Sequence, residues 1–263
     1  MDAFDAVRVL SPLQHKKDTM ASNPMPSSHD ECQDLSDSDF HALLQANMKF
    51  KARSHETHQA VHMPSLTLQL PSIPITTLLI GDSMFERLKT TGLNTRTSKL
   101  CSQPDSLAFN AGVGGDKIEN VLYRLDHGLL DIFSKQKEEL KLGVVMIGTN
   151  NFNGKKPLKI SDIEKYRLLL QALLRMSNTE SKILCCEIFK RKDVKDELVE
   201  ESNRMLRELI ADINAYIGKE RIGWIAAPEE IGKERLEDHV HLDEAGYRIW
   251  DEILYSRIAP SSE

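Results

Sequence analysis

The stretch LLIGDSMFERL, Leu78 to Leu88, joins an apolar run to a Gly-Asp-Ser turn and then to a helix-like segment. A strand covered on both faces is apolar throughout. Ser83 stands where the chain has just left such a strand, and in open α/β sheets the carboxyl ends of the strands border the ligand crevice. The position of this one hydroxyl therefore sets the first expectation: an α/β fold with its chemistry at a strand end.

Working outward, short apolar runs alternate with amphipathic stretches. Residues 75–80, 107–110, 142–147, 182–189 and 221–227 read as strands. Between them lie helical patterns. The clearest begins at the capping-box signature Ser161-Asp162-Ile163-Glu164 and continues through Tyr166, Leu169, Leu170, Leu173 and Leu174. Another carries Leu198, Met205, Leu206, Leu209 and Ile213, and a last one runs from about Glu244 to Ile258 with Asp243 as its N-cap. Because parallel strands need crossover connections, this alternation predicts a five-stranded, mainly parallel sheet covered by helices on both faces.

The segment before the first strand differs in composition. Residues 1–72 are rich in Ser, Asp, His, Gln and Met and read as a polar, partly disordered leader. One helix is expected in it, where Ser36-Asp37-Ser38-Asp39 offers N-caps ahead of Phe40, Leu43, Leu44 and Met48; that face would dock on the main domain. His55, His58 and His62 could share a helix face, and in so polar a segment they are expected to be solvated. The expected domain plan is leader 1–72, catalytic domain 73–258 and tail 259–263.

With 263 residues, 40% hydrophobic and 28% charged, the chain suits a soluble globular protein with one good-sized core. A net charge of -6 with dispersed Lys and Arg gives no electrostatic footprint for nucleic acid. No apolar run has the length of a signal peptide core or a membrane span. The four cysteines, Cys32, Cys101, Cys185 and Cys186, form no disulfide framework and read as reduced thiols of a cytoplasmic protein.

What stands at the strand ends decides the function class. After the first strand come Gly81-Asp82-Ser83, after the second Asn110-Ala111-Gly112-Val113-Gly114-Gly115-Asp116, and after the third Gly148-Thr149-Asn150-Asn151. After the fifth, beyond a short connecting segment, come Asp238-His239-Val240-His241. A hydroxyl, an imidazole to take its proton, a carboxylate to orient the ring and amide donors for an oxyanion are the parts of a serine acyl-transfer site. Six of the nine histidines lie in the leader, and His127 falls at the far end of the helix after the second strand, which leaves His239 and His241 as candidate bases. Asp238 and His241, three apart, could pair within a turn. Either Asn150 or Asn151 could serve an oxyanion.

Two other chemistries fit less well. GVGGD begins like a dinucleotide fingerprint, but Lys117 occupies the place of the third glycine and the run follows the second strand. His239 and His241 with Asp238 lack further metal ligands at recognised spacing. No metal or organic cofactor is called for.

In these residues the chain resembles the SGNH, or GDSL-type, hydrolases, and among them most nearly the intracellular platelet-activating-factor acetylhydrolase catalytic subunits. The likeness spans about Ile75 to Ile258 and rests on IGDSM, FNAGVGGDKIENVLYRLDHG, VVMIGTNN and DHVHLDEAGY, in that order. The resemblance implies a flavodoxin-like three-layer α/β/α fold with Ser83, Asp238 and His241 as a catalytic triad. It assigns the oxyanion hole to Ser83, Gly115 and Asn150, and so chooses Asn150 over Asn151 and His241 over His239. It implies a serine esterase acting on a short acyl or acetyl ester, with carbohydrate O-deacetylase, thioesterase, acyltransferase or a non-catalytic scaffold as alternatives.

The departures from that pattern concern substrate. Phe189-Lys190-Arg191-Lys192-Asp193 is more basic than expected of the acetylhydrolases, so choline phospholipid specificity is not carried over. Met84 and Val240 are candidate pocket walls, and Arg191 a candidate for meeting an anionic leaving group. The expected partner is a small ester. The leader could support a homodimer or a partner protein.

Overall fold

The computed structural model describes residues 35–70, 72–103 and 106–259. Its centre is a sheet of five parallel strands, β1 (Thr77–Gly81), β2 (Ala108–Gly112), β3 (Leu142–Met146), β4 (Lys182–Cys186) and β5 (Ile222–Ile225), in the order β2-β1-β3-β4-β5. The expectation of an α/β fold with helices on a parallel sheet holds. Chain order reverses beside β1, whose neighbours are β2 and β3, so the carboxyl end of β1 is the topological switch point at which such sheets open a crevice. β1 and β2 are buried along their whole lengths, as strands covered on both faces must be.

Helices α4 (Ser83–Glu86), α5 (Arg96–Ser102), α6 (Ile118–Arg124), α7 (Leu130–Ser134), α8 (Ile160–Arg175), α9 (Asp196–Ile217) and α10 (Glu244–Ile258) connect and cover the strands. α5 packs with α10, while α6 and α9 both pack against α8. One face of the sheet presents Leu79, Val144, Met146, Cys186 and Ile225 to a core completed by Phe85, Tyr247, Trp250 and Leu254. Within it Phe85 stacks on Trp250 at 5.6 Å between ring centres, and Phe189 meets the same indole edge-on at 5.3 Å. The short helix that carries Ser83 is thus locked to α10, the helix that follows the histidine loop. Asp243 caps α10 as expected, accepting from the Gly246 N–H at 2.6 Å.

Some boundaries fall elsewhere than the sequence predicts. β4 stops at Cys186 rather than running to Phe189 because Asn203 of α9 takes over the ladder: it accepts from Ile188 N–H at 3.0 Å and donates to the Ile188 carbonyl at 2.9 Å. α8 starts at Ile160, one residue before the expected cap at Ser161; Asp162, not Glu164, accepts from the backbone N–H preceding the helix, that of Lys159.

The largest difference lies before the sheet. The compact unit begins at Ser36, so residues 36–70 belong with the sheet rather than outside it. The expected helix is present as α1 (Asp37–Asn47), with Phe40 and Leu44 buried and Ser36 capping it. Two further helices, α2 (Ala52–Thr57) and α3 (Met63–Gln69), follow, joined by a π-turn at His58–His62. α1 and α2 pack on α6. His58 and His62 are fully buried, contrary to the expectation that they are solvated. What was expected of residues 1–34, including Cys32, and of most of the tail lies outside the described residues. Cys101, Cys185 and Cys186 are free thiols. Among the described residues no helix is long and apolar enough to cross a membrane.

Candidate active site

β1 ends at Gly81, and Asp82 turns the chain into α4 by capping it: its buried carboxylate accepts from Met84 N–H at 3.0 Å. Burial pushes the Asp82 carboxyl up to about 7; the Met84 N–H opposes this and the neighbouring Asp116 adds to it. Ser83 is therefore the first residue of a helix, where its own N–H has no intrahelical acceptor and is free to serve a ligand. The Tyr247 hydroxyl donates to the Met84 carbonyl at 2.9 Å and ties the turn to α10.

The histidine loop reaches this hydroxyl. His241 Nε2 lies 2.8 Å from Ser83 Oγ, and its Nδ1 lies 2.6 Å from Asp238 Oδ2. With Nδ1–H donating to the carboxylate, Nε2 is left to accept from the serine. Asp238 Oδ1 accepts from the Val240 and His241 backbone N–H groups, both at 2.8 Å. Burial acts to raise the Asp238 pKa, but the hydrogen bonds from His241 ring and backbone and from Val240 outweigh it and hold the carboxyl well below the usual range. His239 is exposed, and its carbonyl accepts from Lys192 N–H at 2.9 Å. Asp238, His241 and Ser83, which come from opposite ends of the sequence, are thus brought into one hydrogen-bonded chain.

The other two strand-end loops meet each other. Gly115 turns at φ +72°, a conformation that favours glycine, and the Asn150 side chain donates to the Asp116 carbonyl at 2.9 Å. Asn151 is engaged elsewhere: it accepts from Ile118 N–H and donates to Glu119 and Asp162, fastening the start of α6 to that of α8. Of the two asparagines, Asn150 is the one fixed to the glycine loop. Behind that loop Arg124, fully buried, donates to Asp116 at 3.1 Å and to the carbonyls of Ala111 and Gly81, so the ends of β1 and β2 share one guanidinium.

The candidate substrate contacts have other occupations. Met84 lies in the hydrophobic core with 1% exposure. Arg191 is buried; it forms a bidentate pair with Asp193 and donates to the Thr149 carbonyl at 2.6 Å, so it braces the loop of Asn150. Val240 is buried, with its N–H on Asp238. Sequence reasoning missed Arg124, Tyr247 and three residues of the N-terminal segment, Lys51, Arg53 and Ser54, which reach the glycine loop. Lys51 and Arg53 donate to the Gly114 carbonyl, and Ser54 donates to Asp116 at 2.9 Å. No group of His, Cys, Asp and Glu among the described residues is arranged to hold a metal ion.

A serine, a histidine and an aspartate thus lie in one hydrogen-bonded chain at the switch point of an α/β sheet. The family model for GDSL-like lipases and acylhydrolases matches residues 79–249, and the chain belongs to that family. It is an esterase or acylhydrolase of the SGNH kind.

Solved structures agree in fold. A protein provisionally described as a platelet activating factor from Streptococcus pneumonia superposes with a TM-score of 0.53 at 16% identity, over 84% of this chain and 99% of that one. An acetyl xylan esterase gives 0.51 at 18% identity, over 69% and 98%. A GDSL-like lipase from Bacteroides thetaiotaomicron gives 0.51 at 15%, over 76% and 96%. No curated protein matched the chain.

Proposed function

We propose that the protein is a serine esterase that hydrolyses a short acyl or acetyl ester through an acyl-serine intermediate. The observation that carries this is the 2.8 Å approach of His241 Nε2 to Ser83 Oγ, with Asp238 on the other ring nitrogen. Ser83 Oγ attacks the ester carbonyl while its proton passes to His241 Nε2, and Asp238 stabilises the imidazolium that forms. The oxyanion is met by the N–H groups of Ser83 and Gly115 and by the Asn150 side chain. His241 then gives the proton to the departing alcohol. Water, deprotonated by the same ring, attacks the acyl-serine, releases the acid and restores the hydroxyl.

Family membership and the fold of the acetyl xylan esterase support an acetyl ester, which makes carbohydrate O-deacetylation the second reading. The kinship to intracellular platelet-activating-factor acetylhydrolases rests on the sequence blocks, and a cytoplasmic location on composition. Ser83→Ala should abolish p-nitrophenyl acetate hydrolysis and fluorophosphonate labelling while leaving thermal melting nearly unchanged. Retained turnover would remove Ser83 from the chemistry. Parallel assays with acetylated xylan, acyl-CoA and simple esters separate deacetylase, thioesterase and esterase.

A further inference from the structure

The peptide bond between Gly114 and Gly115 has two ends with different fates. Its N–H, that of Gly115, makes no hydrogen bond among the described residues and is the proposed oxyanion donor. Its carbonyl, that of Gly114, accepts from two cations, Lys51 Nζ at 3.0 Å and Arg53 Nη1 at 2.9 Å. Both cations come from the N-terminal segment, more than 60 residues away in sequence. Arg53 Nη2 in turn forks onto Glu86 of the nucleophile helix at 2.9 and 3.1 Å, and Lys51 lies 3.5 Å from Asp116.

The approach requires glycine. A Cβ at Gly114 would stand 2.1 Å from Arg53 Nη1, so any other residue would push the guanidinium off the carbonyl. The segment that carries the cations is itself held on α6: Lys49 N–H donates to the Glu119 carbonyl, Asn120 donates to the Lys49 carbonyl, and His55 Nδ1 lies 3.0 Å from the Tyr123 hydroxyl.

We infer that Lys51 and Arg53 are positioning residues for the oxyanion hole, acting through the Gly114–Gly115 peptide. The peptide is planar, so fixing the oxygen fixes the direction of the N–H on its opposite side. Two charge-assisted hydrogen bonds at the oxygen also polarise the amide and strengthen its N–H as a donor. The donor is oriented and strengthened before substrate arrives, which is the condition under which such groups lower a barrier. This inference rests on the proposed role of Gly115.

The test is the double variant Lys51→Met/Arg53→Met in the full chain. Loss of the polarised donor should lower kcat on p-nitrophenyl acetate about tenfold, with KM within about twofold, because the effect belongs to the transition state. Melting temperature should change little, and the charge-retaining pair Lys51→Arg/Arg53→Lys should restore most of the rate. A double Met variant with unchanged kcat overturns the inference. So does a loss of rate that comes only together with lower melting and is not rescued by the charge-retaining pair, since that would mark the segment as simple scaffolding. Active wild type beside inactive Ser83→Ala keeps the esterase reading intact through either result. A wild type inert to esters and to fluorophosphonate refutes that reading and this inference with it.

Discussion

The rim around Ser83 and the segment from Ser36 to Leu70 meet at the glycine loop, yet they are built on different principles. The rim takes single polar residues from four strand ends, three fixed by a short local device, the Asp82 cap, the Asp238 turn and the positive φ of Gly115, and Asn150 by its link to Asp116 in the neighbouring loop. The N-terminal segment takes polar residues into the interior, with His58 and His62 fully buried and Ser54 on a buried carboxylate. In the first region polar atoms are aligned for a ligand. In the second they are turned inward, Lys51 and Arg53 onto the Gly114 carbonyl and the histidines into the interior. A polar composition therefore does not say whether a segment is solvated.

The comparison breaks most visibly at the carboxylate of the rim. Asp238→Asn removes the acceptor that sets the ring tautomer, and kcat should fall by about 10⁴-fold, less than for loss of the serine, because the nucleophile and the ring beside it stay in place. His239→Ala should leave the rate near wild type. An inactive His239 variant beside an active His241→Ala would move the base to the other histidine. Asn150→Ala comes next, with kcat down by about 10²- to 10³-fold if its amide meets the oxyanion. A smaller loss, matched by a rise in KM, would reduce Asn150 to a fastener of the Asp116 loop.

The rim was legible because its residues sit at strand ends, and strand ends follow from apolar runs broken by Gly, Asp and Asn. Ser83, Asp238 and His241 could be placed on one edge before any coordinates. Asn150 and His241 still needed the family resemblance, since alternation stops outside a strand. The N-terminal segment was not legible for a physical reason. Lys51 and Arg53 act on a carbonyl reached only through the tertiary fold, and no local pattern in residues 49–62 encodes that distance. His58, though buried, finds a partner because the helix after β2 kinks at His127 and Gly128, where the His127 carbonyl lies 3.1 Å from its Nε2. Arg191 misled in the opposite sense: a residue of a basic loop reads as a contact for an anionic leaving group, but Asp193 two positions on and the Thr149 carbonyl fold it inward.

The smallest and most selective effect is expected at the two buried histidines. Burial chiefly lowers His58 to about 4, with Arg124, His127 and His55 adding repulsion against the hydrogen bond to the His127 carbonyl. Burial likewise lowers His62 to about 2, with Arg124, Lys89 and His58 adding to it; its ring packs edge-on against Phe109 and neither nitrogen has a partner. In the unfolded chain both rings take up protons near the ordinary value of about 6.5. Between that pH and the lowered values the unfolded state binds more protons, so stability is full above about pH 6.5 and declines as pH falls, by up to about 1.4 kcal/mol per pH unit for each proton. His62→Leu exchanges the ring for an apolar side chain in a place that offers it no hydrogen bond. Melting temperature measured from pH 8 to pH 4 should then fall less steeply for His62→Leu than for wild type, while the two remain close at neutral pH. Equal slopes would mean that the ring is charged or solvated in the folded protein, and the contrast between a rim built for ligands and a segment built for burial would lose its clearest example.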